Sequence, residues 1–204
     1  MIIGDIVEAV FKGLLRAAEV DFKDNDSVTL KLKDGTEIRG EYDMVLDGKV
    51  DDVKSASPWS YKNKFNTFET LANSDSFGYV SQLVGYAEAA GLDVGGWWVV
   101  NKANGEFKYV DASSVDKDAV IENIEDTVGY INEDKPFKRC FEAIPETHFR
   151  KQTGNLKLGS ECGFCSFKHK CWPNLQTRTA VMSKAQNPPV VDYVLLSPEY
   201  AEAH

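Results

Sequence analysis

Gly40-Glu41-Tyr42-Asp43-Met44-Val45-Leu46-Asp47-Gly48-Lys49-Val50-Asp51-Asp52-Val53-Lys54 is the stretch on which the fold turns. Leu46-Asp47-Gly48-Lys49 carries the Asp-Gly hairpin signal, so the strand bearing Asp43 is expected to fold back on the strand bearing Asp52. Period-2 alternation sets Asp52 and Lys54 on one face and Val53 on the other. Asp51 points away from Asp52 and reads as a solvated or structural residue. Two carboxylates beside an ammonium suit a hard divalent cation with a cationic group poised over it, the arrangement that metal-assisted phosphodiester hydrolysis requires. The same residues read, as the alternative, as ordinary solvated charges on a hairpin.

Working outward, residues 3–20 place Ile3, Ile6, Val7, Val10, Leu14 and Leu15 at helical spacing. Val28 to Leu32 alternate as a strand, Lys33-Asp34-Gly35-Thr36 is a turn, and strands follow over 37–46 and 49–55. Ser57 to Tyr61 reads as a loop. Phe77 to Ala90 reads as a helix stopped by Gly91, Trp97 to Asn101 and Phe107 to Val110 as strands, and 116–132 as an acidic amphipathic helix ending before Pro136. This order predicts an α/β fold with a mixed central sheet flanked by helices. The expected domains are a core over 1–135, a cysteine-bearing arm packed on it over 136–175, and an irregular tail over 176–204.

The 204 residues carry a net charge of −9, which argues against generic DNA binding. The charge is uneven. Residues 136–172 hold seven Lys or Arg against three Glu, so a locally basic arm, Arg150 and Lys151 included, could meet phosphates. The alternative is a solvated basic segment with no partner. No apolar run reaches the length of a membrane span, and Met1-Ile2-Ile3-Gly4-Asp5 has no basic region of the signal-peptide kind. A cytoplasmic chain is the expectation, and there four cysteines read as metal ligands before disulfides. Cys162-x2-Cys165 with Cys171 six residues on, in an aromatic and basic stretch, points to a metal centre.

The order G-x-x-D, D-x-K, then Gln82-x3-Tyr86 resembles the PD-(D/E)xK nuclease superfamily. Within it, the chain is similar to the RecB-like and CRISPR-associated-type exonuclease branch, whose third motif is Q-x3-Y and some of whose members carry a C-x2-C-x5-C iron–sulfur cluster. Several segments also look like small exonucleases of tailed phages. The resemblance runs to Trp172. It implies a restriction-endonuclease-like core with a C-terminal cysteine-ligated arm, and a metal-dependent DNA exonuclease of phage replication or recombination. It implies Mg2+ or Mn2+ held by Asp43, Asp52, the Val53 carbonyl and Glu8, since Gly4-x3-Glu8 stands where the family has His or Glu four residues after a glycine. Lys54 would hold the attacking water or the scissile phosphate, and Gln82 and Tyr86 would touch the DNA backbone and orient Lys54. A 4Fe-4S cluster would take Cys162, Cys165 and Cys171, with Cys140 in place of the upstream cysteine usual in relatives. Zinc is the alternative metal, with His169 able to replace Cys140. The expected partners are DNA, as single strands or duplex ends, and phage recombination or replication proteins, with no membrane. The alternative function is an inactive DNA- or protein-binding module of the same fold.

Overall fold

The computed structural model describes residues 2–133, 135, 136 and 138–201. It is a mixed α/β protein with three sheets, and the chain separates into two compact units, Met1–Asp134 and Lys135–His204.

In the first unit the order is α1 (Ile2–Ala17), β1 (Asp26–Lys31), β2 (Glu37–Tyr42), β3 (Met44–Leu46), β4 (Lys49–Ala56), α2 (Pro58–Lys62), α3 (Phe68–Asn73), α4 (Tyr79–Ala90), β5 (Asp93–Asn101), β6 (Phe107–Asp111) and α5 (Lys117–Asn132). The region 37–46, expected as one strand, is two. β2 pairs with β1 in a separate ladder, whereas β3 pairs with β4, and Asp43 sits at the switch between the two sheets. The turn after β3 is the expected two-residue hairpin, with Asp47 and Gly48 both at positive φ (50 and 76) and Leu46 opposite Lys49.

The second sheet runs β3-β4-β5-β6, and β4 lies parallel to β5. A parallel pair needs a crossover between its strands, and α2, α3 and α4 supply it. Ser57 was expected in a loop but caps α2, accepting from the Ser60 amide at 3.2 Å with Pro58 in the first turn. α4 begins at Gly78, which offers no side chain, so Asp75 receives the Tyr79 and Val80 amides at 2.9 and 2.8 Å. It ends on Gly91 in the left-handed region, as its sequence predicts.

Two clusters hold this unit. Tyr42, Leu71, Leu83, Val84, Trp97 and Val99 lead the larger one, while Phe11, Met44 and Val53 form a smaller one on the other side of the sheet. α1 turns Val7, Phe11 and Leu15 toward the smaller cluster and leaves Ile3, Ile6, Val10 and Leu14 exposed.

Of the two roles expected for Asp51, solvated or structural, the fold shows the structural one. Asp51 is 2% exposed and accepts hydrogen bonds from the Gly96 amide (2.8 Å), Trp98 Nε1 (3.1 Å) and the Tyr109 hydroxyl (2.8 Å). Burial pushes its carboxyl pKa up, and these three donors work against that rise. The β4–β5 register slips between Val50 and Asp52, opposite Gly95 and Gly96, and the slip makes room for the side chain. A Cβ on Gly95 would overlap Asp51 Oδ1. Gly95→Ala is therefore expected to cost about 1–3 kcal/mol or more, measured by denaturant unfolding. A loss under a few tenths would mean that Asp51 relaxes freely.

The second unit contains β7 (Ile144–His148), β8 (Lys151–Lys157), α6 (Ser160–Gly163), α7 (Lys168–Cys171), β9 (Gln176–Thr179), β10 (Val190–Leu195) and α8 (Pro198–Ala201). Its sheet runs β7-β8-β10-β9. The segment 176–204, expected as an irregular tail, carries β9, β10 and α8 with irregular stretches between them. Tyr193, fully buried, donates from its hydroxyl to Glu146 Oε1 at 2.8 Å, and Asn155 Nδ2 donates to Glu146 Oε2 at 2.7 Å. A buried carboxylate with such partners makes β10 an integral strand. Among the described residues no helix is long and apolar enough to cross a membrane.

Candidate active site and cysteine centre

Asp52 and Lys54 stand two apart on β4, and the pleat brings their side chains together as expected. Lys54 Nζ donates to Asp52 Oδ1 at 2.8 Å and lies 2.7 Å from Oδ2. Oδ2 nonetheless has no well-angled hydrogen bond and is buried, so that short distance is an ion-pair contact only. Asp43, at the β2–β3 switch, accepts the Val53 amide at 2.7 Å through Oδ2. That bond ties the switch to β4 and sets the Asp43 carboxyl close to Asp52. Val53 was expected to offer its carbonyl, and the contact it makes to this site is its N–H.

The electrostatics follow from burial. Asp52 is 3% exposed, and desolvation pushes its pKa up to about 7; the Lys54 charge pulls the other way and Asp43 adds to the rise. Burial also works against the charged form of Lys54, but Asp52 and Asp43 hold its pKa above the ordinary value. Two acidic groups thus crowd one ammonium in a half-buried place.

α4 supplies the next layer. Gln82 Oε1 accepts from Lys54 Nζ at a long 3.5 Å, and Gln82 Nε2 donates to the Tyr86 hydroxyl at 3.0 Å. Tyr86 in turn packs over Gly40, where a Cβ would overlap its ring. The glycine of G-x-x-D and the tyrosine of Q-x3-Y therefore meet, which gives a physical reason for both. Gly40→Ala is expected to swing Tyr86 off Gln82 and to cost about 1–3 kcal/mol. Denaturant unfolding checks this, and an unchanged midpoint would show that the ring has room to spare. Beside Gln82 and Tyr86 opens a cleft of about 270 Å³, walled by Val28, Leu30 and Ile38 with Arg39 at its edge.

The sequence reading missed Tyr79, whose ring lies 5.4 Å from Lys54 Nζ and 4.7 Å from Lys64 Nζ. It also missed Asp75, which fixes the end of α4 that carries Tyr79. Asp three residues before Gly78 is the signal that could have shown it.

Glu8 lies on α1. It accepts from buried Lys12 at 2.6 Å, and Lys12 also pairs with Asp24 at 2.8 Å. Among the described residues no group of three or more His, Cys, Asp or Glu closes into a metal-holding set. The donors at Asp43 and Asp52 are two hard carboxylates, one with a buried oxygen lacking a hydrogen bond. They fit a cation that keeps most of its ligand sphere as water.

In the second unit the four cysteines are free thiols. Burial pushes the Cys162 thiol pKa up, and the charges of Cys165, Cys171 and Cys140 each add to the rise. Cys171 likewise responds to Cys165 and Cys140. Electrostatic coupling thus links Cys140 with the other three, and no single-ion cage closes among the described residues. Their soft sulfur donors suit zinc or iron. Arg139 donates to the Cys171 carbonyl at 3.0 Å and lies 3.8 Å over the Trp172 ring, and Lys168 pairs with Asp192 at 2.8 Å. Part of the basic window is thus used within the fold, while Arg150 and Lys151 stand exposed beside a hairpin turn.

No protein-family model matches this chain, and no curated protein does. Three solved chains match. One, titled "Crystal structure of SSO0001", is 15% identical with a TM-score of 0.41, over 63% of this chain and 59% of that one. This chain thus spans less than two thirds of that neighbour's length.

Proposed function

We propose that this chain is a metal-dependent deoxyribonuclease of the PD-(D/E)xK type, an exonuclease of the RecB-like branch serving phage DNA replication or recombination. The observation that carries the reading is the Asp43–Asp52–Lys54–Gln82–Tyr86 chain of contacts, in which three separate motifs converge on one buried carboxylate and one ammonium. On this reading the core is restriction-endonuclease-like, and Asp43 and Asp52 hold Mg2+ or Mn2+. The metal, when bound, activates water and neutralises charge building on the phosphate. Glu8 is the third ligand on this reading, exchanging its Lys12 ion pair for the cation.

The protein's own residues divide the remaining work. Lys54 presents its ammonium to the scissile phosphate, where partial burial strengthens its hold on developing negative charge. Gln82 aims that ammonium, Tyr86 fixes Gln82, and both lie where a DNA backbone would pass. Asp51, bonded to three donors on β5 and β6, keeps β4 in register so that Asp52 and Lys54 stay aimed at one point.

Cys140, Cys162, Cys165 and Cys171 would hold a 4Fe-4S cluster that acts as a staple within the second unit; zinc is the rival occupant.

Lys54→Ala is expected to lower Mg2+-dependent DNA cleavage by at least about a hundred- to a thousandfold. Gln82→Ala, which leaves Lys54 in place but loses its positioning and a DNA-backbone contact, should lower it roughly ten- to hundredfold. Both are read on a linear end-labelled duplex and on single strands, with circular dichroism to confirm the fold. Wild-type cleavage by a folded Lys54→Ala protein would remove the assignment.

A further inference from the structure

β7 and β8 are joined by just two residues, Phe149 and Arg150, with His148 opposite Lys151. Both turn residues have positive φ, 47 and 65. A two-residue hairpin of this hand is normally built from Asn-Gly or Asp-Gly, because side chains other than these resist the left-handed region. A bulky aromatic there is a true outlier. Among the described residues its ring contact is with His148, edge-on at 4.3 Å between centroids, and Phe149 is 87% exposed. An exposed ring on a strained backbone is costly twice over, in conformation and in hydration.

The surroundings show what the ring could meet. Arg150 and Lys151 follow it directly and are exposed. On its other side lies an open cleft of about 450 Å³, bounded by Met182, Ser183 and Lys184. Arg150 and Lys151 beside it in sequence and Lys184 on the shared cleft thus put three cations near one exposed ring in a chain whose net charge is −9.

We infer that the β7–β8 tip is a nucleic-acid stacking finger: Phe149 stacks on an unpaired nucleobase while Arg150, Lys151 and Lys184 meet the flanking phosphates. Base–aromatic stacking tolerates any sequence, and phosphate contacts supply the affinity that an acidic protein otherwise lacks. The inference rests on the reading of this chain as a DNA-acting protein and adds the part that grips the strand.

The test uses the 204-residue chain as purified and fluorescein-labelled oligo(dT) in buffer without added Mg2+. Phe149→Asn is the informative variant, because Asn accepts positive φ. It should raise the thermal midpoint and weaken oligo(dT) binding roughly ten- to a hundredfold, with the salt slope unchanged. Phe149→Trp should bind at least as tightly as wild type. Arg150→Ala with Lys151→Ala should flatten the salt dependence by roughly one unit of slope per lost phosphate contact. A folded Phe149→Asn protein with wild-type affinity overturns the inference and leaves the nuclease reading untouched. So does a wild-type protein that ignores oligo(dT) but binds anionic lipid vesicles through Phe149. A protein that binds oligo(dT) through Phe149 yet cuts no DNA keeps the finger and removes the nuclease.

Discussion

Asp52→Asn should yield a protein that cuts no DNA and that, free of metal above neutral pH, is more stable than the wild type. Loss of a carboxylate ligand lowers the rate by several orders of magnitude, as removal of transition-state charge stabilisation does. The gain in stability comes from the same burial that shapes the site. The Asp52 carboxyl, ordinarily near 3.8, is pushed up to about 7 in the folded chain. A raised carboxyl pKa means that the folded state binds the proton more tightly than the unfolded state does. Its contribution is therefore fully present below about pH 4 and is lost as pH rises toward 7. Above that window the buried carboxylate costs on the order of 4 kcal/mol, at about 1.4 kcal/mol per pKa unit. Asn keeps the shape and removes the charge. Denaturant unfolding with a Mg2+ chelator should show the two proteins converging at pH 4 and separating by pH 8. Added Mg2+ should raise the wild type and leave Asp52→Asn where it was. Parallel pH profiles for the two proteins would mean that Asp52 is not the strained carboxylate described here.

The second large effect belongs to the cysteines. Anaerobically purified protein should be brown and hold about four irons per chain, the content of a four-thiolate cluster. Cys162→Ala should lose the metal and most of the soluble yield, because in small metal-bound units ligation and folding are one event. Cys140→Ala tests the assignment more sharply. Its place beside the other three depends on the fold, and an unchanged iron content would return it to an ordinary surface thiol. A colourless protein with one zinc would replace the cluster and leave the nuclease reading in place.

Much of the first unit was legible because its signals are local. Asp47-Gly48 announces the hairpin, period-2 alternation pairs Asp52 with Lys54, and Gly91 stops α4. What was not legible depends on which strand pairs with which. Residues 37–46 read as one strand, and only the separate partners β1 and β4 reveal the break at Asp43. Asp51 reads as solvated or structural, and Gly95-Gly96 inside a strand, a signal of close backbone approach, decides for the structural role, since Asp51 is what approaches. Gly40 carries the same signal toward Tyr86. In the second unit, Pro188-Pro189 drew the reading toward an irregular tail and away from the Val190–Leu195 strand that follows. Glu8 has a suitable position in the sequence, and its ion pair with Lys12, one helical turn further on, is a local i,i+4 contact that the spacing also announces.

The most direct measurement is the fate of end-labelled linear and circular DNA, with and without Mg2+, in the presence of wild-type protein. The account predicts that label is released from linear DNA only when Mg2+ is present, that circular DNA persists, and that Asp52→Asn releases none. Linear DNA left intact by folded, metal-loaded protein in Mg2+ and in Mn2+ would contradict it.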